Sequence, residues 1–176
     1  VSTILSLDPA THCGFAVESD GEIAASGTWN LKPKGDTRPG QRGLRLWENL
    51  HRVWVDHEPT FCFFELVERH PSGKGGGTNV YAAQVYGGLK MAIETWCEMH
   101  SVTYWGIPVG TIKKYATGSG AANKAKMILH AQHKWPSFNI LDDNHADALW
   151  ILETGKAIHL NKGRQKELFD GKRGKR

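Results

Sequence analysis

Cysteine is scarce in this 176-residue chain. The three present, Cys13, Cys62 and Cys97, are odd in number and form neither a CxxC pair nor a zinc-ligand spacing. That excludes a disulfide framework and a structural zinc site as organising devices, and makes a reducing cytoplasm the expected setting. Long apolar runs are missing too. No stretch approaches the ~18 consecutive apolar residues of a membrane span, and the opening Val-Ser-Thr-Ile-Leu lacks a basic signal-peptide start. The chain is therefore expected to be soluble, unexported and without a membrane partner. There are no internal repeats, and low complexity is confined to the C-terminal end.

What is present is ordinary globular material. Apolar residues at 40% and charged residues at 23% allow one well-buried core rather than a disordered or fibrous chain, and the length leaves little room for a second. The net charge of +4 favours polyanionic partners only weakly. From Lys162 to Arg176, Lys and Arg far outnumber the two acids Glu167 and Asp170. That run suits either phosphate tracking or a solubilising end. The expected division is a domain over residues 1–160 and a basic tail over 161–176.

Hydrophobic patterning places the elements. Thr3 to Asp8, Cys13 to Val17 and Glu22 to Trp29 read as three consecutive short strands, an antiparallel meander. After a polar loop, Leu44, Trp47, Leu50 and Trp54 recur at helical spacing to about His57. Phe61-Cys-Phe-Phe-Glu65 reads as a strand ending in a carboxylate, Ser72 to Thr78 as a glycine-rich basic loop, and Asn79 to Met99 as a helix. Val102 to Ile107 makes a further strand. Thr111 to Ala116 and Ala121 to His133 are helical on either side of Gly118-Ser-Gly120, and a last helix opens near Asp143. A meander followed by alternating elements predicts a mixed sheet flanked by helices in an α/β fold.

Chemistry is concentrated in acids at element ends: Asp8 and Glu65 close strands, and Asp143 and Asp147 open a helix on one of its faces. Strand ends of one sheet can lie side by side, and several unencumbered carboxylates in one place suit a pair of hard divalent cations. Each acid also has a plainer reading. Asp8 before Pro9 suits a turn, and Asp143, like Asp142, suits a helix N-cap. Glu65 after Phe-Cys-Phe-Phe and Asp147 amid Ala146, Ala148 and Leu149 would be partly buried charges in need of partners.

Taken together, four blocks resemble the RuvC-type Holliday junction resolvases. Ile4-Leu-Ser-Leu-Asp-Pro-Ala-Thr-His-Cys-Gly14 is similar to that family's first strand, with its Asp, Pro and later Gly. Phe63-Phe-Glu65 is similar to its second catalytic strand. Ile112 to Lys124, with Thr-Gly-Ser-Gly at 117–120, resembles the segment whose lysines assist near the scissile phosphate, placing Lys113 and Lys124 in that role. Asp143-Asn-His-Ala-Asp-Ala-Leu149 resembles the closing acidic helix. One departure stands out. Many members carry the penultimate ligand three residues before the last Asp, where this chain has Asn144, a poor ligand. Asp143 is then the better candidate, with His145, expected to be exposed at the helix start, an outside one. The spacing is similar to that of phage-like, poxviral-like and organellar members.

The resemblance implies a ribonuclease H-like (retroviral-integrase-like) mixed five-stranded sheet and Mg2+-dependent cleavage of branched DNA, a four-way junction first of all. Asp8, Glu65, Asp143 and Asp147 would hold two Mg2+ ions per site, with Mn2+ able to substitute, and cutting would leave 5′ phosphates. It also implies a homodimer in a bacterial or phage-infected cytoplasm, with an organelle as the alternative. Candidate DNA contacts are Arg38, Arg42 and Arg45 on and before the first helix, His70 and Lys74 in the following loop, and Lys113, Lys114 and Lys124. His70 or Tyr81 is placed to stack on a base. For the dimer, Gly87-Gly88 with Tyr81, Val85, Leu89 and Trp96 offers a surface that core packing explains nearly as well. Two other readings remain: an actin-like or sugar-kinase-like ATPase, which also opens on strand, Asp and Gly, and a branched-DNA-binding module without catalysis.

Overall fold

The computed structural model describes residues 2–33, 40–67 and 79–160. The basic tail, and with it the boundary expected at 160, lies outside them. Five strands, β1 (Thr3–Asp8), β2 (His12–Ser19), β3 (Glu22–Asn30), β4 (Phe61–Leu66) and β5 (Thr103–Pro108), form one sheet in the order β3-β2-β1-β4-β5. The first three pair antiparallel and β4 and β5 join parallel to β1. This is the expected mixed sheet. The tight turn at Asp20-Gly21, both at positive φ, suffices for the β2–β3 hairpin, whereas the parallel steps need helical crossovers.

Every residue from Thr3 to Leu7 is buried, because the sheet is covered on both faces. Alternation splits this strand between two cores. Leu5 and Leu7 enter one built with Leu46 and Leu50 of α1 (Gly40–His57) and Leu89, Ile93 and Trp96 of α2 (Val80–Met99). Ile4 enters the other, with Phe63, Ile112 of α3 (Val109–Thr117), Met127 of α4 (Lys124–Lys134) and Leu149 of α5 (Asp143–Gly155). The buried stripe of α1 is Leu46, Leu50 and Val53. Leu44, expected on that stripe, is 65% exposed: at about 100° per residue it lies roughly 120° around the helix from Leu50, whereas Trp47 and Trp54 pack against the core around Leu5 and Leu7 as expected.

Local capping sets the helix ends. Asn79 and Asn123 cap α2 and α4 with side chains that accept from Ala82 N and Lys126 N. Gly118, at φ 77°, closes α3 in the left-handed conformation, at the Gly-Ser-Gly break expected from the sequence. α5 is the buried centre of its layer and continues into a π-helical turn, Lys156–Leu160. It lies so close to the sheet that a Cβ at Gly155 would overlap the Phe63 ring.

Candidate active site

Strand parity brings the acids together. Ile4, Ser6 and Asp8 point to the α5 face of β1, and Phe61, Phe63 and Glu65 point to the same face of β4. The parallel register sets Leu7 beside Phe64, so Asp8 and Glu65 end adjacent strands side by side. Across from them, Asp143 and Asp147 lie four apart on α5. All four are half-buried.

α5 is held in this position by groups that sequence reasoning did not single out. Ser6 donates 2.8 Å to the Ala148 carbonyl and 3.3 Å to that of Ala16. A Cβ at Gly14 would collide with the Asn144 carbonyl, which gives the glycine six residues after Asp8 a steric cause. Ser6 was findable, since a serine inside Ile-Leu-Ser-Leu must have a partner if buried. Tyr86 steadies the other acid strand, its hydroxyl donating 3.0 Å to the Glu65 carbonyl and accepting 3.0 Å from Val67 N–H.

The two adjacent aspartates divide their work. Asp142 is the N-cap of α5: its Oδ1 accepts from His145 N–H at 2.8 Å and from the Thr28 hydroxyl at 2.9 Å. Burial alone would raise its pKa, but these donors outweigh it and hold the carboxyl below its usual range. Asp143 is thereby free of capping. His145 is not exposed as expected. It is 8% exposed, and its Nε2 is 2.9 Å from Ser26 Oγ on β3, on the side of α5 away from the acids. The expectation failed because the first turn of α5 is covered by β2 and β3.

Among the described residues, the electrostatics are those of half-buried negative charges that two lysines offset only in part. Burial lifts Asp8 well above the usual carboxylate range, and Glu65, Asp147 and Asp143 add to it, while Lys124 pulls back. Burial is also the main cause for Asp147, pushed up to about 7, with Glu65 and Asp143 adding against Lys113 and Lys124. Glu65 is raised by burial and opposed by the same two lysines. Lys113, midway along α3, thus acts on Glu65 and Asp147 electrostatically, as does Lys124 at the start of α4. Lys124 forms an ion pair with Asp143. Lys114 is exposed, and among the described residues nothing ties it to the acids.

Among the described residues, no group of three or more His, Cys, Asp or Glu side chains is arranged, as it stands, to hold a metal ion. The donor set nevertheless fits hard divalent cations. It is all oxygen, and its pKa values, raised by burial first and by neighbouring acids second, mark charge that such a cation would offset. Asp8 and Glu65 border an open cleft of about 320 Å3 whose far wall is Tyr81, Ala82 and Val85 of α2, giving substrate an approach.

Of the remaining candidates, Arg42 donates 3.2 Å to the Tyr81 hydroxyl, and Arg45 is bonded to the Lys32 carbonyl. Both stand beyond the cleft on α1. Tyr81 is 64% exposed, but Leu89 and Trp96, expected on a dimer surface, are buried against α1, so the core-packing reading holds for those two. Arg38, His70 and Lys74 lie outside the described residues. No helix among the described residues is long and apolar enough to cross a membrane.

No protein-family model matches this chain, and no curated protein matches it in sequence. Solved structures do. That of T. thermophilus RuvC in complex with Holliday junction substrate matches with a TM-score of 0.74 at 18% identity, over 93% of this chain and 97% of that one. A second Thermus thermophilus RuvC structure gives 0.67 at 19%, over 86% and 92%. The yeast mitochondrial Holliday junction resolvase gives 0.59 at 14%, over 87% and 77%. At such identities the likeness shows the fold, which is ribonuclease H-like with the expected mixed five-stranded sheet.

Proposed function

We propose that this chain is a RuvC-type endodeoxyribonuclease that cuts branched DNA, four-way junctions first, with two Mg2+ ions per site and Mn2+ able to replace them. The observation that carries the reading is the convergence of Asp8, Glu65, Asp143 and Asp147 from β1, β4 and α5, with raised pKa values on three of them. Half-buried acids with raised pKa values beside an open cleft are costly to fold stability and point to a functional site. Structural relatives whose described substrate is a Holliday junction support the choice of DNA.

Asp8, central to the group, would bind both ions, Glu65 and Asp147 one each, and Asp143 would complete the set. When bound, the cations supply Lewis-acid activation of water and of the phosphoryl oxygens. Lys113, electrostatically close to both Glu65 and Asp147, would offset charge developing on the scissile phosphate. Arg42, Arg45 and the exposed Lys114 would hold flanking phosphates and so position the duplex without reading its sequence. A homodimer would present two such sites to opposed strands, using the exposed stretch of α2 around Tyr81, Gly87 and Gly88. Sedimentation with junction DNA present should show two chains per junction, and a lone monomer would remove this part of the reading. No membrane contact is expected, and the setting proposed is a bacterial or phage-infected cytoplasm.

The test is cleavage of end-labelled four-way, forked and linear duplex DNA with Mg2+, beside Asp8→Asn. The wild type should nick the branched substrates and the variant should bind them uncut. Equal cutting by both would sink the mechanism, and binding with no Mg2+-dependent cutting by the wild type would favour the non-catalytic module.

A further inference from the structure

Lys124 occupies a position that its own helix does not favour. It is the first residue of α4, Lys126 follows in the same turn, and that turn contains no acid. Two cations therefore face the positive end of a helix dipole. The side chain of Lys124 is 80% exposed, so packing does not account for its placement either. What does is the acidic group: Lys124 pairs with Asp143, and Asp143 heads the electrostatic partners of its ammonium, ahead of Asp147 and Asp8. The Gly118-Ser-Gly120 turn directs α4 there, because α3 ends on the left-handed Gly118 and a Cβ at Gly120 would press to 3.3 Å from the Gly110 carbonyl.

We propose that Lys124 is a removable counter-cation: it holds Asp143 in the metal-free protein, and its transfer to a DNA phosphate releases Asp143 to the divalent ions. This rests on the nuclease reading of the site. Two features make the exchange feasible. An exposed ion pair is weak enough to be displaced, and a phosphate entering beside Asp8 offers the same ammonium an anion that needs no release from the cluster. Metal and DNA then bind cooperatively, because each removes an obstacle to the other. The rise in metal affinity on adding DNA is carried by Lys124 in addition to the oxygens that the phosphate itself brings.

Mn2+ binding to the full chain, followed by the electron paramagnetic resonance of the free ion, separates the possibilities without any turnover. Without DNA, Lys124→Gln should bind Mn2+ roughly threefold to tenfold more tightly than wild type. Lys126→Gln, which removes the same charge from the same turn, should change affinity much less. The gain should vanish when Asp143→Asn is added to Lys124→Gln, since there is then no carboxylate to release. Added junction with non-cleavable linkages should improve Mn2+ affinity more for wild type than for Lys124→Gln. Equal affinity in wild type and Lys124→Gln, or an equal gain from Lys126→Gln, would overturn the exchange while leaving the nuclease reading intact. Mn2+ affinity unchanged by Asp8→Asn would remove the metal site itself, and the exchange with it.

Discussion

The two ends of α5 each gather acids and lysines, with opposite outcomes. At the C-terminal end, Glu18 and Glu153 share Lys156, and Lys134 takes the other oxygen of Glu153 at 2.7 Å. Burial pushes Glu153 up, but its two lysines outweigh this and leave it lowered, and the same acids hold Lys156 above its usual value against burial. At the N-terminal end burial raises Asp8, Glu65 and Asp147, neighbouring acids add to this at Asp8 and Asp147, and Lys124 and Lys113 offset it only in part. Both groups border clefts of similar size, about 320 and 330 Å3. Volume therefore does not distinguish them. Charge matching does: acids paired one for one serve the fold, whereas half-buried acids only partly offset make it less stable and are the candidates for chemistry.

The strongest way to break this contrast is Asp147→Asn. Cleavage should fall on the order of a thousandfold, the loss of one ligand to a catalytic cation. The same substitution should flatten the pH dependence of stability. An acid whose pKa is raised by folding keeps its proton in the native state after the unfolded chain has lost it, so stability falls as pH rises from the ordinary carboxylate value toward about 7. Metal-free wild type should accordingly melt several degrees lower at pH 8 than at pH 5, and Mg2+ should restore more at pH 8. A melting temperature that climbs over that interval would mean that the acids are better paired than the geometry shows.

A smaller effect sharpens the anionic end itself. Asp143→Asn should cost roughly ten- to a hundredfold in cleavage, while Asn144→Ala, whose side chain is hydrogen-bonded to the capping Asp142, should stay within about a fewfold. The reverse order would give the last ligand position to Asn144. Smallest in activity is the other end of α5. Glu153→Gln should leave cleavage near wild type, yet lower stability by about 1 to 3 kcal/mol in chemical denaturation, because Lys156 and Lys134 lose a half-buried partner. A large loss of cleavage there would join the two ends functionally and end the comparison.

Much of the site was legible in one dimension. Acids at the ends of apolar strands stay at strand ends when those strands pair, and period-two alternation already places Ser6 and Asp8 on one face. A four-residue spacing keeps Asp143 and Asp147 together on any helix. The sheet follows from the same patterns, since three short strands joined by tight turns pair antiparallel and later strands separated by helices pair parallel. What could not be read was which of two chemically equal residues does what. Asp142 and Asp143 are interchangeable as letters. Asp142 became the cap because Thr28 of β3 donates to it, and that left Asp143 for the acidic group.

His145 was misplaced for the same reason, its cover being supplied by Ser26, remote in sequence. Leu89 and Trp96 looked equally fit for a partner chain and for a core until α1 packed over them. The sequence by itself determined the periodicities, the element ends and the acids they carry, because those depend on residues a few positions apart. Tertiary structure alone decided which face each helix turns to the sheet, which aspartate caps, and how far the lysines fall short of the acids. Those outcomes depend on distances and burial between segments up to about 140 residues apart, Ser6 and Ala148 among them, and a charge's cost is set by what surrounds it in space.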